Sequence, residues 1–163
     1  MTGPTGTSYN VQRVAYDTNI LVYLEALARH PDDTAKIASA RGLHFDLAPR
    51  VVCVAPQQAL GELYSVLAKT SGDREIARTR VLSFIEEFET VAPNIATFID
   101  AMELATEHKL QFWDSLILST AASGGCSLML SEDMQDGFAW RGVTVVNPFA
   151  EKMHKRLARV LAD

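Results

Sequence analysis

Cysteine is scarce, with two in 163 residues, and neither Cys53 nor Cys126 stands in a Cys-x-x-Cys or Cys/His pattern. That excludes a zinc site, and two buried thiols among apolar neighbours are expected. The four histidines, His30, His44, His108 and His154, are scattered, as loop and helix-end residues would be. Neither Ser115 nor Ser119 has a histidine spaced to activate it, so no nucleophilic triad is expected. No wholly apolar run exceeds Val51-Val52-Cys53-Val54-Ala55, far short of the roughly 20 residues of a membrane helix. Met1-Thr2-Gly3-Pro4-Thr5-Gly6-Thr7 lacks an apolar signal core, so a soluble, cytoplasmic protein with no membrane partner is expected. Positive charge is short as well. Fifteen Lys and Arg stand against twenty Asp and Glu, a net charge of −5. This excludes holding nucleic acid by a bulk positive field, but not an enzyme whose acids gather round bound cations.

What is present is an ordinary globular composition, 48% hydrophobic and 21% charged. A chain of this length buries about two-thirds of its unfolded surface, enough for one core without staples. Residues 1–10, rich in Gly, Ser, Thr and Pro, read as a flexible tail, and 11–163 as a single domain. Strands are expected at 11–16, 51–55, 90–92, 127–131 and 143–146. Helices are expected at 20–27, 31–41, 57–69, 74–89, 93–109, 113–123 and 149–161. Leu60, Leu63 and Leu67 mark the inner stripe of the third helix, and Phe98, Met102 and Ala105 that of the fifth. Strands alternating with helices predict a three-layer α/β/α domain with a mostly parallel central sheet.

Such sheets bind ligands beyond the carboxyl ends of their strands. Asp17-Thr18-Asn19 follows the first strand there, and Glu132-Asp133 follows 127–131. The second strand leads into the helix carrying Glu62, and Asp114 stands at the mouth of another helix. Each acid also has a plain explanation. Asp17 suits an N-cap, Glu62 a solvated helix border, Asp114 an N-cap or first-turn acid, and Asp133 an Asx turn. Their convergence would be harder to explain. Two carboxylates at about 4 Å repel by roughly 4 kcal/mol at an effective dielectric of about 20. All-oxygen ligands without His or Cys suit Mg²⁺ or Mn²⁺, and such ions on carboxylates serve phosphate chemistry.

Four segments taken in order carry a family likeness: Tyr16-Asp17-Thr18-Asn19-Ile20-Leu21; Ala59-Leu60-Gly61-Glu62-Leu63; Phe112-Trp113-Asp114-Ser115-Leu116-Ile117; and Leu130-Ser131-Glu132-Asp133-Met134-Gln135-Asp136-Gly137. From about Val14 to Phe149 the chain resembles a PIN domain, most of all the VapC-type toxins of bacterial type II toxin–antitoxin pairs. The resemblance implies a PIN-like fold and a Mg²⁺- or Mn²⁺-dependent endoribonuclease. By position Asp17, Glu62, Asp114 and Asp133 match the family's acidic quartet, with Asp17 and Asp114 as direct metal ligands. Asn19 and Ser131 would orient carboxylates or phosphate, while Asp136 shapes the turn or joins the site. A cognate antitoxin and a homodimer are also implied.

RNA would have to reach an acidic pocket. Candidate phosphate contacts are Arg29, Lys36, Arg41 and Arg50, and the cluster Lys152, Lys155, Arg156 and Arg159, which equally suits the later turns of the last helix. Trp113 and Trp140 are expected in packing rather than base stacking. A PIN domain with weak catalysis, serving as an RNA- or protein-binding module, is the alternative reading. A receiver domain would require a Lys after a late strand, and a dehalogenase-type phosphotransferase an Asp at position 19; both are lacking.

Overall fold

A computed structural model describes residues 11–163; the tail expected at 1–10 lies outside them. Chain order is β1 (Arg13–Tyr16), α1 (Thr18–Leu24), α2 (Asp33–Leu47), β2 (Val52–Pro56), α3 (Gln57–Ser71), α4 (Arg74–Glu87) and β3 (Glu89–Val91). It continues with α5 (Ile95–His108), α6 (Phe112–Ser123), β4 (Leu128–Leu130), β5 (Ala139–Trp140), β6 (Val143–Val146) and α7 (Lys155–Ala162). The strands form one sheet in the order β3-β2-β1-β4-β6-β5, parallel except for the β5–β6 pair. This is the predicted α/β/α fold. Val14, Ala15 and Tyr16, Leu128, Met129 and Leu130, and Val143 to Val146 are all buried, as strands covered on both faces must be.

The strand order reverses between β1 and β4, which makes their carboxyl ends the switch point of the sheet. The two ends are level: the Asp17 amide donates to the Leu130 carbonyl at 2.9 Å, and Ser131 N–H to the Val146 carbonyl at 3.1 Å. Residues just past β1 and β4 therefore meet.

Several expectations need correction. Helix α2 runs on to Leu47 rather than ending near 41, and Ala139–Trp140 add a strand, β5, to the five expected. It pairs with β6 through Arg141 and Gly142, both at positive φ, as a two-residue hairpin turn requires. The last helix starts at Lys155 rather than 149, because Asn147 Oδ1 accepts the Phe149 amide and His154 Nδ1 caps the amide of Arg156. Lys152 is thus outside the helix, and Lys155 and Arg156 lie in its first turn, the wrong end for dipole complementation. Arg156 instead donates to Thr144 Oγ1 at 2.6 Å. Helix α5 buries Thr97, Ala101 and Leu104, and turns Phe98 and Met102 outward. Trp113 is 54% exposed, whereas Trp140 packs partly against the core. Cys126 is buried and Cys53 half-buried.

Candidate active site

Asp17 is the N-cap of α1, its Oδ1 accepting the Thr18 amide at 2.7 Å. The plain reading of Asp17 is therefore correct, and it does not exhaust the residue. Its second oxygen, Oδ2, accepts the Ser131 hydroxyl at 2.7 Å. The same hydroxyl oxygen accepts the Asp133 amide at 3.3 Å, so Ser131 rather than an Asx turn at Asp133 shapes the loop after β4. Asn19 Nδ2 donates to Asp133 Oδ2 at 2.7 Å and reaches Asp17 Oδ2 at 3.5 Å. Asp17, Asn19, Ser131 and Asp133 thus form one hydrogen-bonded unit across the switch point.

Glu62 enters from the second turn of α3, where the Thr18 hydroxyl donates to Oε2 at 2.6 Å and Gln58 Nε2 to Oε1 at 3.1 Å. Asp114 comes from the first turn of α6, whose N-cap is Gln111. Helices α3 and α6 pack on each other, and Asp114 comes near enough to Glu62 and Asp133 to feel their charge, although Asp17 and Asp114 are not in the lining of the open cleft. Thr18 and Gln58 are neighbours of Glu62 that motif reading passes over. Gln58 did leave a signal, since it stands one helical turn before Glu62 on the same face.

The electrostatics show how crowded this cleft is with negative charge. Burial pushes the Asp17 carboxyl up to about 7; the Ser131 and Thr18 bonds pull it down, and Asp114 and Asp133 push it further up. The Asp114 carboxyl is raised too, first by burial, then by Asp133 and Glu62. Asn19 Oδ1 is buried without a hydrogen-bond partner among the described residues. A buried polar acceptor beside carboxylates held above their ordinary range suits a divalent cation. Among the described residues no three Asp, Glu, His or Cys are gathered into a ready-made cage. The donor set is oxygen only, which suits a hard ion that keeps several waters and takes few protein ligands.

The cleft has a volume of about 500 Å³, and its lining includes Thr18, Asn19, Gln58, Glu62, Asp133 and Arg29. Arg29 is the cation in that lining. Of the other sequence candidates, Lys36 is bound to Glu132 and Arg50 donates to the Asp46 carbonyl. Asp136 points its Oδ1 at the Asn147 amide, 2.8 Å away, and so shapes the turn before Gly137.

The PIN domain family model matches residues 14–138. No curated protein matches the chain by sequence. Among solved structures, a toxin–antitoxin complex from Klebsiella pneumoniae superposes with a TM-score of 0.60 at 20% identity, over 83% of this chain and 98% of that one. VapC20 of Mycobacterium tuberculosis, described as a sarcin–ricin loop cleaving toxin, gives 0.58 at 18% identity, over 71% and 86%. VapBC2 from Rickettsia felis, bound to a DNA fragment from its promoter, gives 0.57 at 22%, over 74% and 87%. At these identities the likeness speaks for the fold.

Proposed function

This chain belongs to the PIN domain family, and from that premise we propose that it is a metal-dependent endoribonuclease, the toxin of a toxin–antitoxin pair. One observation carries the reading: Asp17, Asn19, Ser131 and Asp133 are knitted together at the switch point with an unpartnered acceptor and a carboxylate buried against its own charge. Asp17 and Asp114 would hold Mg²⁺ or Mn²⁺, with Glu62 and Asp133 completing the acidic surround. Such an ion supplies a water of lowered pKa and neutralises charge on the phosphoryl and leaving oxygens.

The chain's own groups do the rest. Ser131 and the Thr18 amide fix both oxygens of Asp17, so its carboxylate does not swing. Thr18 and Gln58 do the same for Glu62, leaving it set to orient the water that attacks phosphorus. Asn19 holds Asp133 against the strand ends. Arg29 lines the cleft without an ion pair among the described residues, and binds an RNA phosphate oxygen there.

The neighbours that are toxin–antitoxin assemblies support an antitoxin protein as partner. A groove of about 750 Å³ between α3 and α4, with Leu60, Tyr64, Val81, Leu82 and Ile85 in its lining, offers that partner an apolar seat. A homodimer fits the apolar residues left exposed on α5, Ile95, Phe98, Ile99 and Met102. No helix among the described residues is long and apolar enough to cross a membrane, and a cytoplasmic site of action goes with an RNA substrate.

The test is cleavage of labelled transfer and ribosomal RNA by partner-free protein with Mg²⁺, Mn²⁺ or EDTA, beside Asp17→Asn and Asp114→Asn. Metal-dependent cutting that both folded variants lose is the expected result. Well-folded wild-type protein that cuts neither RNA would favour a binding module instead.

A further inference from the structure

Glu132, between Ser131 and Asp133, is absent from the lining of the cleft, and its side chain is held on its own account. Glu132 accepts the Tyr23 hydroxyl on Oε1 at 2.5 Å and the Lys36 ammonium on Oε2 at 2.7 Å. Both carboxylate oxygens are therefore engaged, and the side chain is only 15% exposed. Tyr23 is buried, with its ring edge-on to Phe149 at 5.4 Å, and Lys36 Nζ lies about 6 Å from both rings, at 6.0 and 5.8 Å.

Tyr23 stands four residues after Asn19 on α1, so the two side chains project from one helix face. Asn19 grips Asp133 while Tyr23 grips Glu132, and the two acids are adjacent in the turn after β4. One face of α1 thus holds both carboxylates of that turn. Lys36 from α2 closes the far side. Asp133 is itself exposed, and its side-chain bond in this network is the one from Asn19. Where it stands depends on what fixes the turn.

We propose that Tyr23, Glu132 and Lys36 form a positioning unit that sets the Ser131–Asp133 turn, and so the place of Asp133 relative to Asp17, in the nuclease site. The inference rests on the nuclease reading above. None of the three residues touches substrate or metal; each acts through the turn. A purely stabilising role would change the melting temperature and leave metal affinity and turnover alone.

The experiment compares full-length wild type with Tyr23→Phe, Lys36→Met and Lys36→Arg. Tyr23→Phe removes one hydroxyl and keeps the ring on Phe149. Lys36→Met removes the charge, and Lys36→Arg restores it. Mn²⁺ affinity is read by calorimetry on partner-free protein, and kcat and KM on cleaved RNA at saturating Mn²⁺. Tyr23→Phe and Lys36→Met should each weaken Mn²⁺ binding or lower kcat by about 10- to 100-fold, as loss of a group that orients metal ligands does, with KM little changed. Lys36→Arg should recover most of the loss. Variants that bind and cut like active wild type, with only their melting temperature altered, would overturn the positioning role alone. Wild type that neither binds Mn²⁺ nor cuts RNA would overturn the nuclease reading and this inference with it. Should Tyr23→Phe fail to fold, the contrast between the two Lys36 variants decides.

Discussion

The Asn19 side-chain amide stands 2.7 Å from Asp133 Oδ2 and 3.5 Å from Asp17 Oδ2. One neutral donor therefore spans the residues after β1 and those after β4. It does so without adding charge to a place already crowded with carboxylates. Its oxygen is buried and has no hydrogen-bond partner among the described residues.

Replacing that amide should separate geometry from charge. Asn19→Ala removes the bridge and should lower kcat/KM on RNA by about 10- to 100-fold, the usual cost of an outer-shell partner. Asn19→Asp keeps the size, adds a charge, and should cost more activity and some stability. Steady-state cleavage with a melt of each variant reads both. Equal activity in Asn19→Ala and wild type would remove Asn19 from the site.

A cation that binds only the folded chain must also stabilise it. At about 100 times its dissociation constant it contributes about 2.7 kcal/mol. For a domain of this size that corresponds to a rise of roughly 5–10 °C in melting temperature. Asp17→Asn removes a buried charge that Asp114 and Asp133 oppose, so without metal it should melt no lower than wild type. With Mg²⁺ or Mn²⁺ its rise should shrink or vanish. A wild-type melt indifferent to millimolar divalent ion would count against the metal site.

Much of the fold is legible in the sequence, and the exceptions have physical causes. Val143 to Val146 and the Leu60, Leu63 and Leu67 stripe reached the structure unchanged, because a β-branched run and a single-faced stripe each admit one burial. Helix α5 is apolar on several faces at once, with Ile95, Phe98, Ile99, Ala101, Met102, Leu104 and Ala105, so periodicity alone did not choose the buried one. Residues 149–154 have a helix-competent composition, but the Asn147 and His154 bonds and the packing of Phe149 on Tyr23 override it. Asp17, Glu62, Asp114 and Asp133 were each legible by position. The Thr18 hydroxyl that orients Glu62 is less so, because it reaches from α1 to α3 across elements that only the fold brings together.

Gly124 offers a test at the other end of the sheet. Its φ of −79° is open to any residue, but an added Cβ would come within 2.7 Å of Val91 Cγ2. Gly124→Ala should cost about 1–3 kcal/mol by overpacking. Gly142→Ala meets open space but sits at φ +85°, and should cost about 1–2 kcal/mol through backbone strain instead. Urea unfolding measures both. Because Gly124 lies beyond the amino end of β4, away from the cleft, cleavage per folded molecule should hold. A large fall in kcat without a change in stability would contradict that separation.

Tyr16 precedes Asp17, yet its side chain serves the fold. It is fully buried, with its hydroxyl 3.0 Å from His44 Nδ1 and 3.6 Å from Cys53 Sγ. Burial first, and Cys53 next, hold that hydroxyl protonated well above the ordinary tyrosine range. His44 stacks on Phe88 and reaches Glu87 with Nε2 at 3.1 Å. Tyr16→Phe would leave Nδ1 of a largely buried ring without a partner, at a cost of about 1–3 kcal/mol. Replacing both partners by apolar groups is far cheaper than replacing one. Tyr16→Phe combined with His44→Leu should therefore cost less than the sum of the two single changes. Since the Asp17 amide stays bonded to Leu130 in every variant, metal-dependent cleavage per folded molecule should stay within about threefold of wild type. Strictly additive costs in the cycle would show that the Tyr16–His44 bond carries no coupling.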